Sequence, residues 1–131
     1  MDASKLKSIP LFSTLADEEL QAIAPFAEEV DVEEGTVLVK EGQYSYEFIA
    51  IREGSAEVTR GGEHVASLGP GDFFGEMGLL EQALRNATVT ATSPMKVVTL
   101  TGWDMKRLEK RSPQAVEEIR RVIEERRPPA A

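Results

Sequence analysis

The chain has 131 residues, 41% of them hydrophobic, with no cysteine, one histidine and a formal net charge of -8. This is material for one domain with one core, and it excludes disulfides, thiolate metal sites and a metal centre built from several histidines. The negative charge argues against nucleic acid and anionic membrane as partners, and no apolar run approaches the roughly 20 residues that span a bilayer, so a soluble, cytoplasmic, unexported protein is expected.

Residues 1–28 read as helical. Leu20, Ile23, Ala24 and Ala27 recur at helix spacing, Asp17, Glu18 and Glu19 supply an acidic first turn, and Pro25 ends or kinks the helix. The preceding Ile9-Pro10-Leu11-Phe12 with Leu15 is too apolar for a free tail and is expected to pack on the core. From 29 to 101 the texture changes to short runs rich in Val, Ile, Thr and Phe at 30–32, 37–40, 48–52, 56–60, 64–68, 87–91 and 96–100. Turn signals cut them at Glu34-Gly35, Glu41-Gly42, Glu53-Gly54, Gly61-Gly62 and Gly69-Pro70-Gly71-Asp72. Short, evenly spaced strands interrupted once by a helical turn suit an antiparallel β jelly-roll barrel with flanking helices.

Helices return after Leu100. Thr101 and Asp104 have capping-box spacing, and Trp103, Met105 and Leu108 are predicted to face the core. A second helix starts at Ser112-Pro113, carries Val116, Ile119, Val122 and Ile123 on one side, and stops at Pro128-Pro129. Glu117 and Glu118 early, with Arg120, Arg121, Arg126 and Arg127 late, agree with its dipole. The expected layout is a single domain over 1–131, with a helical lead-in at 1–28, the barrel at 29–101 and C-terminal helices at 101–127.

One stretch, residues 73–88, carries more chemistry than a fold requires. Gly75 and Gly78 let backbone N–H groups approach a ligand, and Leu79 and Leu80 anchor a short helical turn whose N-terminus favours an anion. Arg85 offers a planar fork of donors suited to phosphate. Glu76 is out of place beside an anion unless it accepts from ligand hydroxyls such as those of a ribose. Phosphate plus sugar suggests a nucleotide. The plainer readings are a surface arginine at a strand start, a glutamate paired with a lysine, and glycines that only turn the chain.

The ordered set Phe74-Gly75-Glu76, Leu79-Leu80, Arg85 and Ala87-Thr88 resembles the phosphate-binding cassette of cyclic-nucleotide-binding domains. Among these are catabolite-activator-type regulators, regulatory subunits of protein kinase A and cyclic-nucleotide-gated channels. The glycines at 42, 54 and 71 fall in similar places. The resemblance implies that Gly75, Glu76, Met77, Gly78, Arg85, Asn86 and Ala87 line a ligand site, with Glu76 on the ribose and Arg85 on the cyclic phosphate. It favours cAMP over cGMP, because Asn86 stands where a hydroxyl residue accompanies guanine recognition. Val116, Ile119 and Ile123 read as a barrel-packing or homodimer face, as a lid over the base, or as both at once. Two positions depart from the pattern. Tyr46 replaces an aspartate that orients the arginine, and Leu84 replaces a proline before it.

The sequence therefore reads as a standalone cyclic-nucleotide sensor, not an enzyme, whose C-terminal helix moves on binding and whose signal leaves through an unidentified protein effector. The competing reading is a jelly-roll interaction module that no longer binds nucleotide, supported by Tyr46 and Leu84. A cyclic phosphodiesterase would want metal ligands that one histidine cannot supply.

Overall fold

The computed structural model describes residues 1–75 and 83–126. Three short helical pieces lead in: α1 (Ala3–Leu6), a 3-10 turn (Pro10–Phe12) and α2 (Asp17–Ile23). The lead-in is thus broken where one helical stretch was read, because Pro10 supplies no N–H and starts a new turn. Glu19 accepts from the Ala16 N–H at 2.8 Å, and α2 ends two residues before Pro25.

Among the described residues ten strands follow: β1 (Glu28–Val32), β2 (Val37–Val39), β3 (Tyr44–Ser45), β4 (Glu47–Glu53), β5 (Ala56–Arg60), β6 (Glu63–Leu68), β7 (Phe73–Phe74), β8 (Ala83–Leu84), β9 (Thr88–Ala91) and β10 (Met95–Thr101). After them come α3 (Gly102–Arg111) and α4 (Pro113–Arg126). Pairing is antiparallel throughout, in two four-stranded sheets of order β1-β10-β4-β7 and β2-β9-β5-β6, plus the small β3-β8 ribbon. These are the two sheets and flanking helices of a jelly roll.

The first sheet is buried on both faces, and β4 shows why. Its alternate residues Ile49 and Ile51 enter the core between the sheets with Val58, Phe74, Val89 and Val97, while Phe48 and Ala50 enter a second core with the helices. Ring contacts tie that helical core together: Phe12 meets Phe48 edge-to-face with centroids 5.9 Å apart, and Phe48 meets Phe73 at a tilt with centroids 5.6 Å apart. Each such pair adds about 0.5–1.5 kcal/mol to the burial of its rings. Ile9, Leu11, Phe12 and Leu15 are all buried there, as their apolar run requires.

The Thr101–Asp104 capping box forms as expected, with Thr101 N–H donating to Asp104 Oδ2 at 3.0 Å and Asp104 N–H to Thr101 Oγ1 at 3.2 Å. Ser112 Oγ accepts from the Ala115 N–H at the start of α4. Met105 and Leu108 are buried, but Trp103 is 58% exposed. Its predicted core position is corrected by geometry: two residues along a helix turn through about 200°, so Trp103 points away from the face that Met105 shares with Leu108.

Candidate functional site

Arg85 is the one charged side chain that is buried among the described residues, 3% exposed. A guanidinium out of water costs several kcal/mol unless hydrogen bonds or an anion compensate. The β3-β8 ribbon, with Tyr44 opposite Leu84, delivers Arg85 to this place. Its backbone extends the ribbon: Arg85 N–H donates to the Gln43 carbonyl at 2.8 Å, and Gly42 N–H donates to the Arg85 carbonyl at 2.9 Å. At the other end of the side chain, Nη2 donates to the Glu47 carbonyl.

Gly75 completes the cradle. It follows β7 directly, adopts φ +78°, and lies against the Arg85 guanidinium. A Cβ there would collide with Nη1 and would stand 2.6 Å from the Glu47 carbonyl oxygen. Glycine is required twice over, once for its left-handed backbone and once for the closeness of the guanidinium. The buried arginine thus sits at the two described ends of the cassette, residue 75 on one side and residues 83–85 on the other.

Glu47 is the acidic neighbour. Ile49 and Ile51 face the inter-sheet core, and the pleat sends Glu47 to the same side, where it lines a cavity of about 560 Å³ with Glu28, Val30, Val97 and Thr99. Burial raises its carboxyl above the ordinary glutamate value; the Arg85 charge pulls it down, and Glu28 adds to the rise. The inner face near Arg85 therefore combines one buried cation with a half-buried carboxyl of weakened acidity.

The structure brings together Gly75, Arg85, Asn86 and Ala87 of the predicted ligand residues. Ala87 is fully buried in the inter-sheet core. The Asn86 carbonyl accepts from Arg60 Nε at 3.0 Å and its residue is exposed. Glu76, Met77 and Gly78, together with Leu79 and Leu80, lie outside the described residues. Val116, Ile119 and Ile123 are buried in the helical core, where α4 packs with α2 and the 3-10 turn. Leu84 is exposed beside Tyr44. The Tyr46 ring rests 5.7 Å from the Trp103 ring.

Sequence reasoning missed Glu47. Its alternation with Ile49 and Ile51 was the available signal. It also missed the Gly42–Gln43 backbone that holds Arg85, which pairs residues about 40 apart and leaves no local trace.

The family model of the cyclic nucleotide-binding domain matches residues 29–112. A cAMP-dependent protein kinase regulatory subunit of Yarrowia lipolytica is 42% identical over 97 residues, covering 72% of this chain and 26% of that protein. A cyclic nucleotide-gated potassium channel of Rhizobium etli is 34% identical over 120 residues, covering 92% of this chain and 34% of that one. The chain thus spans about a quarter to a third of the length of these curated relatives. The crystal structure of the N-terminal domain of a transcriptional regulator from Streptomyces coelicolor superposes with a TM-score of 0.82 at 26% identity, covering 96% of this chain and 92% of that one. With a matching family model over most of its length and relatives well above 30% identity, the chain belongs to the cyclic nucleotide-binding domain family.

Proposed function

We propose that this chain is a regulatory module that binds a cyclic nucleotide, cAMP in preference to cGMP, and is not an enzyme. The observation that carries the reading is the Arg85 guanidinium, buried against Gly75 between the two ends of the cassette. In this reading Arg85 and the backbone at Gly78 and Asn86 hold the cyclic phosphate. Glu76 accepts from the ribose 2′-hydroxyl, and Ala87 keeps the strand close. A phosphate on a buried guanidinium makes charge-assisted hydrogen bonds that gain strength from the low dielectric around them. The name of the Yarrowia relative supports cAMP as the ligand.

The C-terminal helices are the proposed output, and a protein effector receives it. Val116, Ile119 and Ile123 are occupied by the chain's own helical core, so a lid over the base requires α4 to exchange that core for the ligand. Transfer of those side chains through water would cost about 1.5–3 kcal/mol each. A ligand that drives the exchange must repay this through contacts made in the closed state alone.

The test is thermal unfolding of protein first stripped of ligand by refolding, alone and with saturating cAMP or cGMP. At about 100 times the dissociation constant, linkage adds roughly 2.7 kcal/mol, which raises the midpoint by roughly 5–15 °C for a domain of this size. The larger shift names the purine. Recovery of cAMP intact after incubation separates a binding module from a phosphodiesterase. No shift with either nucleotide at millimolar concentration overturns the reading in favour of an interaction module. That alternative has one observation of its own, the exposed Tyr44–Leu84 pair beside Arg85.

A further inference from the structure

The only tryptophan of the chain is spent at the surface, at the second position of α3 and 5.7 Å from the Tyr46 ring. The Lys106 ammonium sits over the indole, 4.8 Å from its ring centroid. An exposed aromatic contact of this kind adds little to the core, so its position is the informative feature. Tyr46 stands at the junction of two structures. Its carbonyl accepts from the Gly102 N–H at 2.8 Å, at the first residue of α3. The next carbonyl along the chain, that of Glu47, is the one that accepts from Arg85 Nη2.

One peptide unit therefore separates the group that holds the phosphate arginine from the groups that hold α3. Glu47 is also paired with Thr101, the cap of α3, in the β4-β10 register. If Arg85 turns toward a bound phosphate, the Glu47 carbonyl loses or follows its donor, the peptide between residues 47 and 48 rotates, and the adjoining 46–47 peptide, which carries the Tyr46 carbonyl, is pulled with it through the Glu47 backbone. Movement of that adjoining unit shifts the Tyr46 carbonyl against Gly102 and the Tyr46 ring against Trp103. Both contacts bear on the first turn of α3, whose Met105 and Leu108 are fixed in the helical core.

We propose that Tyr46, through its contact with Trp103, is the positioning residue that couples the state of Arg85 to α3. The proposal rests on the binding of cyclic nucleotide at Arg85. Coupling here means that nucleotide and the arrangement of α3 bias one another by the same factor. Tyr46 is at the place where an orienting aspartate was expected, so this chain uses the position to pass on the state of the arginine by ring packing.

The test combines calorimetric titration of cAMP with amide hydrogen exchange of residues 103–111, for the wild type, Tyr46→Ala, Tyr46→Phe, Trp103→Ala and the double alanine variant. In the wild type, saturating cAMP is expected to change α3 exchange by about fivefold or more. Tyr46→Phe keeps the ring and the effect. Tyr46→Ala and Trp103→Ala still bind, with the exchange effect reduced to within about twofold of none, and the double variant adds nothing further, because the two rings form one contact. Trp103 is exposed, so its variant keeps the proposal testable if Tyr46→Ala folds poorly. Binding with unchanged α3 exchange in the wild type, or an effect retained in both alanine variants, overturns the coupling alone. Absence of binding heat in the wild type overturns the nucleotide reading and the coupling with it.

Discussion

The Arg85 guanidinium lies so close to the α-carbon of Gly75 that a methyl group on Gly75 would stand 2.8 Å from Nη2. Gly75→Ala must therefore displace the arginine or strain its own backbone at φ +78°. The expected loss of stability is about 1–3 kcal/mol, together with weakened cAMP binding. Gly35→Ala is the control, since Gly35 has a similar φ of +89° but open space around it. Urea unfolding of both variants is expected to show a loss of stability in each. Titration with cAMP is expected to show a loss of binding in Gly75→Ala alone.

Glu47 gives the molecule a pH dependence of known sign. Its carboxyl is raised by burial, opposed by Arg85 and reinforced by Glu28. A carboxyl raised in the folded state binds its proton more tightly folded than unfolded, so its contribution is favourable at low pH. That contribution is lost as pH rises from the ordinary glutamate range through the raised value. Glu47→Gln is expected to gain stability relative to the wild type over that interval and to hold the gain at neutral pH. Chemical denaturation at a series of pH values checks it; a gap that narrows with rising pH would contradict the assignment.

The two sheets were legible because their longer strands are runs rich in Val, Ile, Thr and Phe cut by glycine turn signals. The run 56–60 coincides with β5, and β4 and β10 were read to within one residue at either end. The three two-residue strands were not, since two residues carry no period. Arg85 was singled out by its spacing from Gly75 and Glu76. What holds it was invisible, because the Gly42–Gln43 backbone and the Glu47 carbonyl reach it from distant parts of the chain. Trp103 was misplaced because hydrophobicity outweighed its angular position on α3.

The helical core sets the resting position of α4. Ile119 is fully buried there, and Ile119→Ala is expected to cost about 2–5 kcal/mol in urea unfolding. Trp103→Ala, at the surface, is expected to cost about 1 kcal/mol or less. Equal losses in the two variants would contradict the packing described for α3 and α4.

Calorimetric titration of cAMP into the stripped wild-type chain and into Arg85→Ala tests the central claim most directly. Loss of charge-assisted hydrogen bonds worth about 1.5–3 kcal/mol predicts affinity weakened by roughly 10- to 150-fold in Arg85→Ala. Arg60→Ala, whose guanidinium reaches only the Asn86 carbonyl in the described contacts, is expected to bind close to wild type. Saturable binding in the wild type with that loss in Arg85→Ala is the predicted result. Equal affinity in the wild type and Arg85→Ala would contradict the account, because the buried arginine would then hold no phosphate.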